Sequence, residues 1–144
     1  MPVNLCVAGT RSFLEGPFTD TNRVTTVDAA LAEEGINASD VACVLDGGAA
    51  GGDRCGRVWA VAHDVPGNRF EPDWDAHGKA AGPKRNAEMA AAADVLLAFW
   101  DGSSAGTQDM IERCQQAPDV DVHVVRYDHD EAVIDPEAAP PFSE

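Results

Sequence analysis

Two short segments carry the residues best suited to bind a phosphorylated small molecule. Residues 82–86 contain Arg85 and Asn86, and residues 101–107, the serine loop, contain glycines and hydroxyl side chains. Arginine presents a planar fork of donors that suits phosphate oxygens. Hydroxyls and free backbone N–H groups bind anions without any net charge. Since each segment is expected where a loop meets a helix, we predict that both line one pocket.

Each of these segments also has a simpler explanation. Arg85 and Asn86 are expected in the first turn of a helix, where a cation opposes the helix dipole. A bound phosphate would compensate that charge, and so would a surface carboxylate. In the serine loop, a Ser or Thr could simply cap the following helix. Trp74, in a predicted loop, could stack on a base or only cover the core.

A third segment, residues 47–53, is called here the glycine loop. It joins a predicted strand to a helix, where glycines permit close approach to an anion. Its spacing matches neither G-x-G-x-x-G nor a Walker A motif, so a plain tight turn is an equal alternative. Asp53 is the predicted N-cap of the helix and would compete with an anion for its N–H groups.

These loops supply the predicted contacts to the ligand: Gly9, Thr10, Arg11, Gly47, Gly48, Trp74, Arg85, Asn86, Gly102, Ser103, Ser104, Gly106 and Thr107. If the protein is an enzyme, Arg85, Asp109 and Asp101 are the candidate catalytic residues. A carboxylate would stabilise an oxocarbenium-like centre while Arg85 anchors a phosphate. Asp109 could equally be a favourable acid near a helix start. No His or Cys spacing indicates a metal site, and we expect neither metal nor cofactor.

The elements that must position these residues follow from the apolar pattern. Strands are predicted at residues 3–8, 41–45, 68–72, 94–100 and 120–125, helices at 20–34, 54–62, 83–93 and 107–116, and a loop at 73–83. Continuous apolar strands that alternate with helices indicate a parallel sheet covered on both faces. We therefore predict an α/β fold: a single-domain, Rossmann-like three-layer sandwich with a mainly parallel five-stranded sheet. In such sheets ligands bind outside the carboxyl ends of the strands.

Length and charge bound the remaining possibilities. The chain of 144 residues suits one domain, predicted at 1–127 and followed by an acidic, Pro-rich tail at 128–144. Its 25 acidic and ten basic residues give a net charge of −15, which disfavours nucleic acid and anionic membranes as partners. Such acidity indicates adaptation to high salt, where screening is strong; an ordinary acidic protein is the alternative. Without a signal peptide or a long apolar run, we expect a cytoplasmic protein.

Several blocks together resemble the YspA-like branch of the SLOG superfamily over residues 3–126. The matching blocks are residues 8–11, 46–54, 73–74, 78–86 with Met89, and 104–107 with Met110. This superfamily also includes the Lonely Guy phosphoribohydrolases and DNA-processing protein A. The resemblance implies a Rossmann-like fold that binds nucleotides or related phosphoribosyl compounds, and a possible homodimer.

Two positions depart from the family pattern. Ala50 stands where the YspA-like glycine loop usually carries a basic residue. In the Lonely Guy enzymes an Arg matching Arg85 works with a Glu, whose position here is Met110. Asp109 lies one residue earlier, which turns a helical side chain by about 100°. The resemblance therefore implies binding more strongly than turnover.

We accordingly expect a salt-adapted module that binds a nucleotide or a nucleotide-derived phosphoribosyl ligand. One alternative is a nucleoside monophosphate phosphoribohydrolase that cleaves the N-glycosidic bond. Another is a viral or mobile-element accessory or scaffold protein that sequesters a nucleotide signal. The expected partner is a nucleotide-like small molecule, with a second copy of the chain as a possible further partner.

Overall fold

The computed structural model describes residues 2–127; the predicted tail at 128–144 lies outside them. The strands are β1 (Val3–Gly9), β2 (Val41–Asp46), β3 (Gly67–Arg69), β4 (Val95–Trp100) and β5 (Asp121–Arg126). The α-helices are α1 (Asp20–Glu33), α2 (Gly52–Ala62), α3 (Trp74–His77), α4 (Ala81–Ala92) and α5 (Ala105–Gln116). Short 3₁₀ turns occupy Ala38–Asp40 and Gly78–Ala80.

The five strands form one sheet in the order β3-β2-β1-β4-β5, and every neighbouring pair is parallel. Continuous burial along β1 and β4 explains this arrangement, because a parallel sheet covered on both faces needs apolar residues on both sides. The carboxyl ends of the strands meet at one edge of the sheet. The predicted α/β class and parallel five-stranded sheet are confirmed.

Two hydrophobic cores lie on opposite faces of the sheet. One core packs α1 and α2 against the sheet, with Trp59 fully buried and the rings of Phe13 and Phe99 stacked 4.6 Å apart. The other packs α4 and α5 through Met89 and Met110. This is the predicted three-layer arrangement of helices, sheet and helices.

The predicted loop at 73–83 is wrong, because most of it is helical. The carboxylate of Asp73 accepts a hydrogen bond from the Ala76 N–H at 3.1 Å and starts α3. A 3₁₀ turn follows, and α4 begins at Ala81. Arg85 is then the fifth residue of α4 and lies in its second turn. The predicted conflict between Arg85 and the first turn of a helix therefore does not arise.

The predicted N-cap at Asp53 is also wrong. Gly51 is the N-cap of α2, with φ of 71°, and Asp53 is the second residue of that helix. The Asp53 carboxylate accepts the Gly47 N–H at 2.8 Å. The short strand expected at 68–72 is β3, three residues long.

None of the helices within residues 2–127 combines the length and the apolar composition needed to cross a membrane.

Candidate functional site

A cavity of about 90 Å³ opens at the carboxyl edge of the sheet, between α4, α5 and the loops after β1 and β2. Twelve residues line it: Ala8, Gly9, Arg11, Ala49, Asp53, Arg85, Asn86, Met89, Ser104, Gly106, Thr107 and Met110. This is the position expected for a ligand site in a parallel α/β sheet. The wall is mixed, with two guanidinium groups, one carboxyl group and several small or apolar side chains.

Arg85 is fixed by two hydrogen bonds inside the protein. Its Nη1 donates to the Gly47 carbonyl oxygen at 2.7 Å, and its Nε donates to Asn86 Oδ1 at 2.9 Å. Within residues 2–127 its Nη2 makes no hydrogen bond. The guanidinium is thus oriented at the cavity wall with donors left for a ligand.

The charge partners of the arginines divide them into two groups. Five arginines form ion pairs with carboxylates: Arg23, Arg54, Arg57, Arg69 and Arg113. A sixth, Arg126, lies over the Trp100 ring. Arg11 and Arg85 form no ion pair within residues 2–127, and both line the cavity. Six of the 25 acidic residues and no basic ones fall in 128–144, so the described part still carries a net charge of −9. In so acidic a domain, two arginines without a carboxylate partner favour an anionic ligand.

The start of α5 also faces the cavity. Ser104 is its N-cap, but its side chain caps no backbone N–H; its Oγ lies 3.3 Å from Thr107 Oγ1 instead. The N–H groups of Ala105, Gly106 and Thr107 belong to the first turn and have no acceptor within the helix. An open first turn on a 12-residue helix attracts an anion.

The glycine loop is different, because its glycine N–H groups are already bonded. Its four glycine N–H groups donate within the protein: Gly47 to Asp53 at 2.8 Å, Gly48 to Asp46 at 2.6 Å, Gly51 to Glu15 at 3.2 Å and Gly52 to the Thr10 carbonyl at 3.2 Å. The loop therefore has no glycine donor left for a phosphate. Of the two predicted alternatives, the geometry favours the tight turn.

Asp53 supplies the one carboxyl group among the described lining residues, and the sequence prediction missed it as a site residue. Its side chain is 6 % exposed. Burial raises the pKa of this carboxyl above its usual value of 3.8, while the hydrogen bond from the Gly47 N–H opposes the rise. The Asp46 charge raises this pKa further and the Arg85 charge lowers it. Because the raised pKa favours the neutral form, this carboxyl repels a nearby anion less than an ordinary aspartate would.

Neither predicted catalytic carboxylate lines the cavity. Asp109 accepts hydrogen bonds from Asn86 Nδ2 and Arg113 Nε, both at 2.9 Å, behind the wall. Asp101 Oδ1 accepts the N–H groups of Ser103 and Ser104, also at 2.9 Å each. Both carboxylates hold other residues in place, one positioning Asn86 and the other shaping the serine loop.

The thirteen predicted ligand contacts fall into two sets. The structure brings seven of them together around the cavity: Gly9, Arg11, Arg85, Asn86, Ser104, Gly106 and Thr107. Six lie outside its lining: Thr10, Gly47, Gly48, Trp74, Gly102 and Ser103. Among these, Thr10 holds the loops together, since its Oγ1 accepts the Asp101 N–H at 3.3 Å.

Besides Asp53, four small or apolar lining residues were not predicted as contacts: Ala8, Ala49, Met89 and Met110. Helical spacing could have found the methionines. Met89 follows Asn86 by three residues and Met110 follows Gly106 by four, so each shares a helix face with a predicted contact.

Comparison with known proteins gives one informative relative. No family model matches the chain, and no solved structure matches it significantly. The Gene 61 protein of Mycobacterium phage D29 is 41 % identical to it over 99 residues, which covers 65 % of this chain and 79 % of the phage protein. The chain therefore belongs to the family of the Gene 61 protein of Mycobacterium phage D29.

Proposed function

We propose that this protein binds a nucleotide or a nucleotide-derived phosphoribosyl ligand, with the phosphate held in the cavity. The observation that carries the proposal is the pair Arg11 and Arg85, which line the cavity without a carboxylate partner among residues 2–127. Ser104, Gly106 and Thr107 at the start of α5 line the same cavity, and the open first turn of this helix adds N–H donors. A phosphate would satisfy all three groups at once.

The size of the cavity indicates that it encloses only part of the ligand. At about 90 Å³ it is far smaller than the roughly 300–1,000 Å³ of pockets that hold whole small molecules. A phosphate group fits such a volume, whereas a complete nucleotide does not. The sugar and base would then lie at the mouth of the cavity.

We propose membership of the YspA-like branch of the SLOG superfamily on the same residues. Four of the five matching sequence blocks contribute to the cavity lining: residues 8–11, 46–54, 78–86 with Met89, and 104–107 with Met110. They come from separate parts of the chain, and the sheet brings them together. This convergence supports the family interpretation, because blocks matched for unrelated reasons need not share one cavity.

Calorimetric titration with AMP, ADP-ribose, NAD and cyclic nucleotides in molar KCl tests the proposal. We expect at least one of these to bind at a single site, and Arg85→Ala to abolish that binding. Arg69→Ala is the matched control, because Arg69 pairs with Glu71 at 3.5 Å on the surface and lies outside the cavity lining. Absence of binding across the whole panel would contradict the proposal.

Hydrolysis of an N-glycosidic bond is a second candidate, and the buried carboxyl of Asp53 in the cavity favours it. Release of free base from nucleoside monophosphates would be assayed in Asp53→Asn and in an Asp101→Ala, Asp109→Ala double variant. Loss of release in the first and its retention in the second would support Asp53 as the acid. If the wild-type protein releases no base, hydrolysis is refuted, and the proposal that the protein binds a nucleotide is unaffected.

A third candidate is an accessory protein that sequesters a nucleotide signal, and the phage source of its relative supports it. Such a protein would hold its ligand without changing it. Labelled AMP would be bound, chased with excess unlabelled AMP and recovered. We expect slow release of unchanged AMP; conversion to a product would contradict sequestration.

We also propose that the protein is adapted to a salty cytoplasm, because its net charge is −15. Molar salt shortens the range of charge repulsion to about 3 Å, so the folded state should gain stability. The midpoint of urea unfolding should rise between low and molar KCl. A midpoint that does not change with KCl would indicate an ordinary acidic protein. Sedimentation under both conditions would show whether two copies associate.

A further inference from the structure

Trp74 is an exposed aromatic residue that the core does not explain. It is 53 % exposed and belongs to neither hydrophobic core among residues 2–127. The other two tryptophans donate their indole N–H groups inside the protein, Trp59 to Asp28 at 2.7 Å and Trp100 to the Ser104 carbonyl at 3.1 Å. Within the described residues, the Trp74 N–H donates to nothing. The interpretation of Trp74 as a cover over the core is therefore wrong.

The position of the Trp74 ring follows from its contact with α4. A Cβ built on Gly82 would lie 3.6 Å from Trp74 Cη2, so the ring rests against the helix at that glycine. Gly82 precedes Arg85 by three residues and Asn86 by four, which places all three on one face of α4. That face carries the two cavity-lining residues.

The direction of α4 places the ring at the cavity mouth. As a helix that leads into a parallel strand, α4 runs back across the sheet and begins beyond its carboxyl edge. Gly82 is therefore about one helical turn, roughly 5.4 Å, further out than Arg85 and Asn86. An exposed indole ring sits above two cavity-lining side chains, where the part of a ligand outside the cavity would lie.

We propose that Trp74 is a stacking subsite for the planar base of a nucleoside phosphate whose phosphate occupies the cavity. This inference rests on the proposed function and adds the orientation of the ligand and the source of its selectivity. Every base presents a π face, so stacking on one ring tolerates changes of base. The site should therefore require the phosphate strictly and accept different bases, ranked by the area that stacks.

Calorimetric titration with AMP, CMP and ribose 5-phosphate tests the subsite. The wild-type protein should bind AMP more tightly than CMP, and CMP more tightly than ribose 5-phosphate, with about a tenfold or larger gap between the extremes. Trp74→Ala should reduce the affinity for AMP to that for ribose 5-phosphate, which itself stays unchanged. Val61→Ala is the matched control, since Val61 is an exposed apolar residue on α2, 83 % exposed and outside the cavity lining; it should change none of these affinities.

Tryptophan fluorescence gives an independent reading. AMP should quench the emission of the wild-type protein, and Trp74→Phe should lose this quenching while keeping most of the AMP affinity, because a phenyl ring still stacks. Ribose 5-phosphate should quench far less, since it has no base.

Three results would overturn the subsite. Unchanged AMP affinity in Trp74→Ala, with loss in Arg85→Ala, would remove the stacking role and leave the phosphate site intact. Equal losses for AMP and ribose 5-phosphate in Trp74→Ala would show a purely structural role for the ring. Failure of the wild-type protein to bind any of the three compounds would overturn the phosphate site and the subsite together.

Discussion

The glycine loop and the serine loop occupy equivalent positions but differ in the state of their glycine N–H groups. Each joins the carboxyl end of a strand to a helix, and each contains a glycine with positive φ, Gly48 at 81° and Gly102 at 90°. The glycine loop donates all four of its glycine N–H groups within the protein. In the serine loop, Gly106 lies in the first turn of α5, so its N–H has no acceptor within the helix, and no side chain of residues 2–127 caps that turn. The proposed anion site thus depends on which donors are unbonded, and the number of glycines in a loop does not reveal this.

The glycines of the glycine loop are required by packing. A Cβ at Gly9 would lie 2.9 Å from Gly52 Cα and 2.7 Å from the Phe99 carbonyl oxygen. The end of β1 and the start of α2 therefore approach each other with no room for a side chain. Close backbone approach, which often indicates a ligand, here indicates contact between two elements of the fold.

The largest effect is expected on the free energy of unfolding when one glycine from each loop is replaced by alanine. Gly52→Ala should lower the free energy of unfolding by about 3 kcal/mol, because its Cβ would overlap the backbone of Gly9. At Gly106, on α5, a Cβ would meet no atom within 4 Å, so Gly106→Ala should leave stability unchanged or slightly increased. Urea denaturation of both variants measures the difference. Equal losses would contradict the assignment of packing to one loop and an open helix start to the other.

A carboxylate at the N-cap of α5 should occupy the open first turn of that helix. Ser104→Asp should accept the N–H groups that an anion would otherwise use, stabilising the fold by about 0.5–1 kcal/mol. The same change should weaken AMP binding by about tenfold or more, because the donors are taken and a negative charge is added. Calorimetry and thermal unfolding measure the two effects.

Ser103→Asp is the control for this prediction, since it adds the same charge at an exposed position that is not the N-cap. It should weaken binding much less than Ser104→Asp and should not stabilise the fold. If Ser104→Asp binds AMP as well as the wild-type protein does, the start of α5 is not the anion site.

The fold could be predicted from local information, and so could the edge of the sheet at which the candidate site lies. Continuous apolar runs such as β4 indicate a parallel sheet covered on both faces, and ligands of such sheets are expected at the carboxyl ends of the strands. The bonding state of the glycine loop could not be predicted, because its acceptors include Glu15 and Thr10, which precede it by more than 30 residues. The burial of Asp53 depends on the same tertiary contacts.

One missed element could have been found in the sequence. Asp73 accepts the N–H of Ala76, three residues later, as an ordinary N-cap does, and it marks the start of α3. The prediction began the helix at Pro83, which suits the first position of a helix but here is the third residue of α4. This error moved Arg85 into the first turn and created a conflict with the helix dipole that the structure does not contain.

The buried carboxyl of Asp53 predicts a dependence on pH. Because its pKa is raised above 3.8 in the folded protein, the folded state binds this proton more tightly than the unfolded state. Its contribution to stability is therefore present below about pH 4 and is lost as pH rises through the raised pKa. For each full unit by which folding raises this pKa, the neutral carboxyl contributes about 1.4 kcal/mol of stability. Asp53→Asn should remove this part of the pH dependence.

Urea denaturation of the wild-type protein and Asp53→Asn from about pH 4 to about pH 8 measures this effect. AMP affinity of the wild-type protein should fall over the same window, since an ionised Asp53 repels phosphate. A difference in stability between the two proteins that does not vary with pH would contradict the raised pKa.

The smallest effect is expected on stability when the N-cap residues of α1 and α5 are replaced by alanine. Thr19 caps α1, and its Oγ1 accepts the Asn22 N–H at 3.1 Å in a capping box. Thr19→Ala should therefore cost about 1 kcal/mol. Ser104→Ala should cost less than about 0.5 kcal/mol, because Ser104 caps no N–H. Similar losses in thermal unfolding would mean that the start of α5 is closed.

Amide chemical shifts during a titration with AMP test the central claim most directly, because they report on the N–H groups of both loops at once. We predict that the amide signals of Ala105, Gly106 and Thr107 shift with saturation, while those of Gly51 and Gly52 stay in place. Saturable shifts at Gly51 and Gly52, with residues 105–107 unmoved, would contradict the assignment of the anion site to the start of α5.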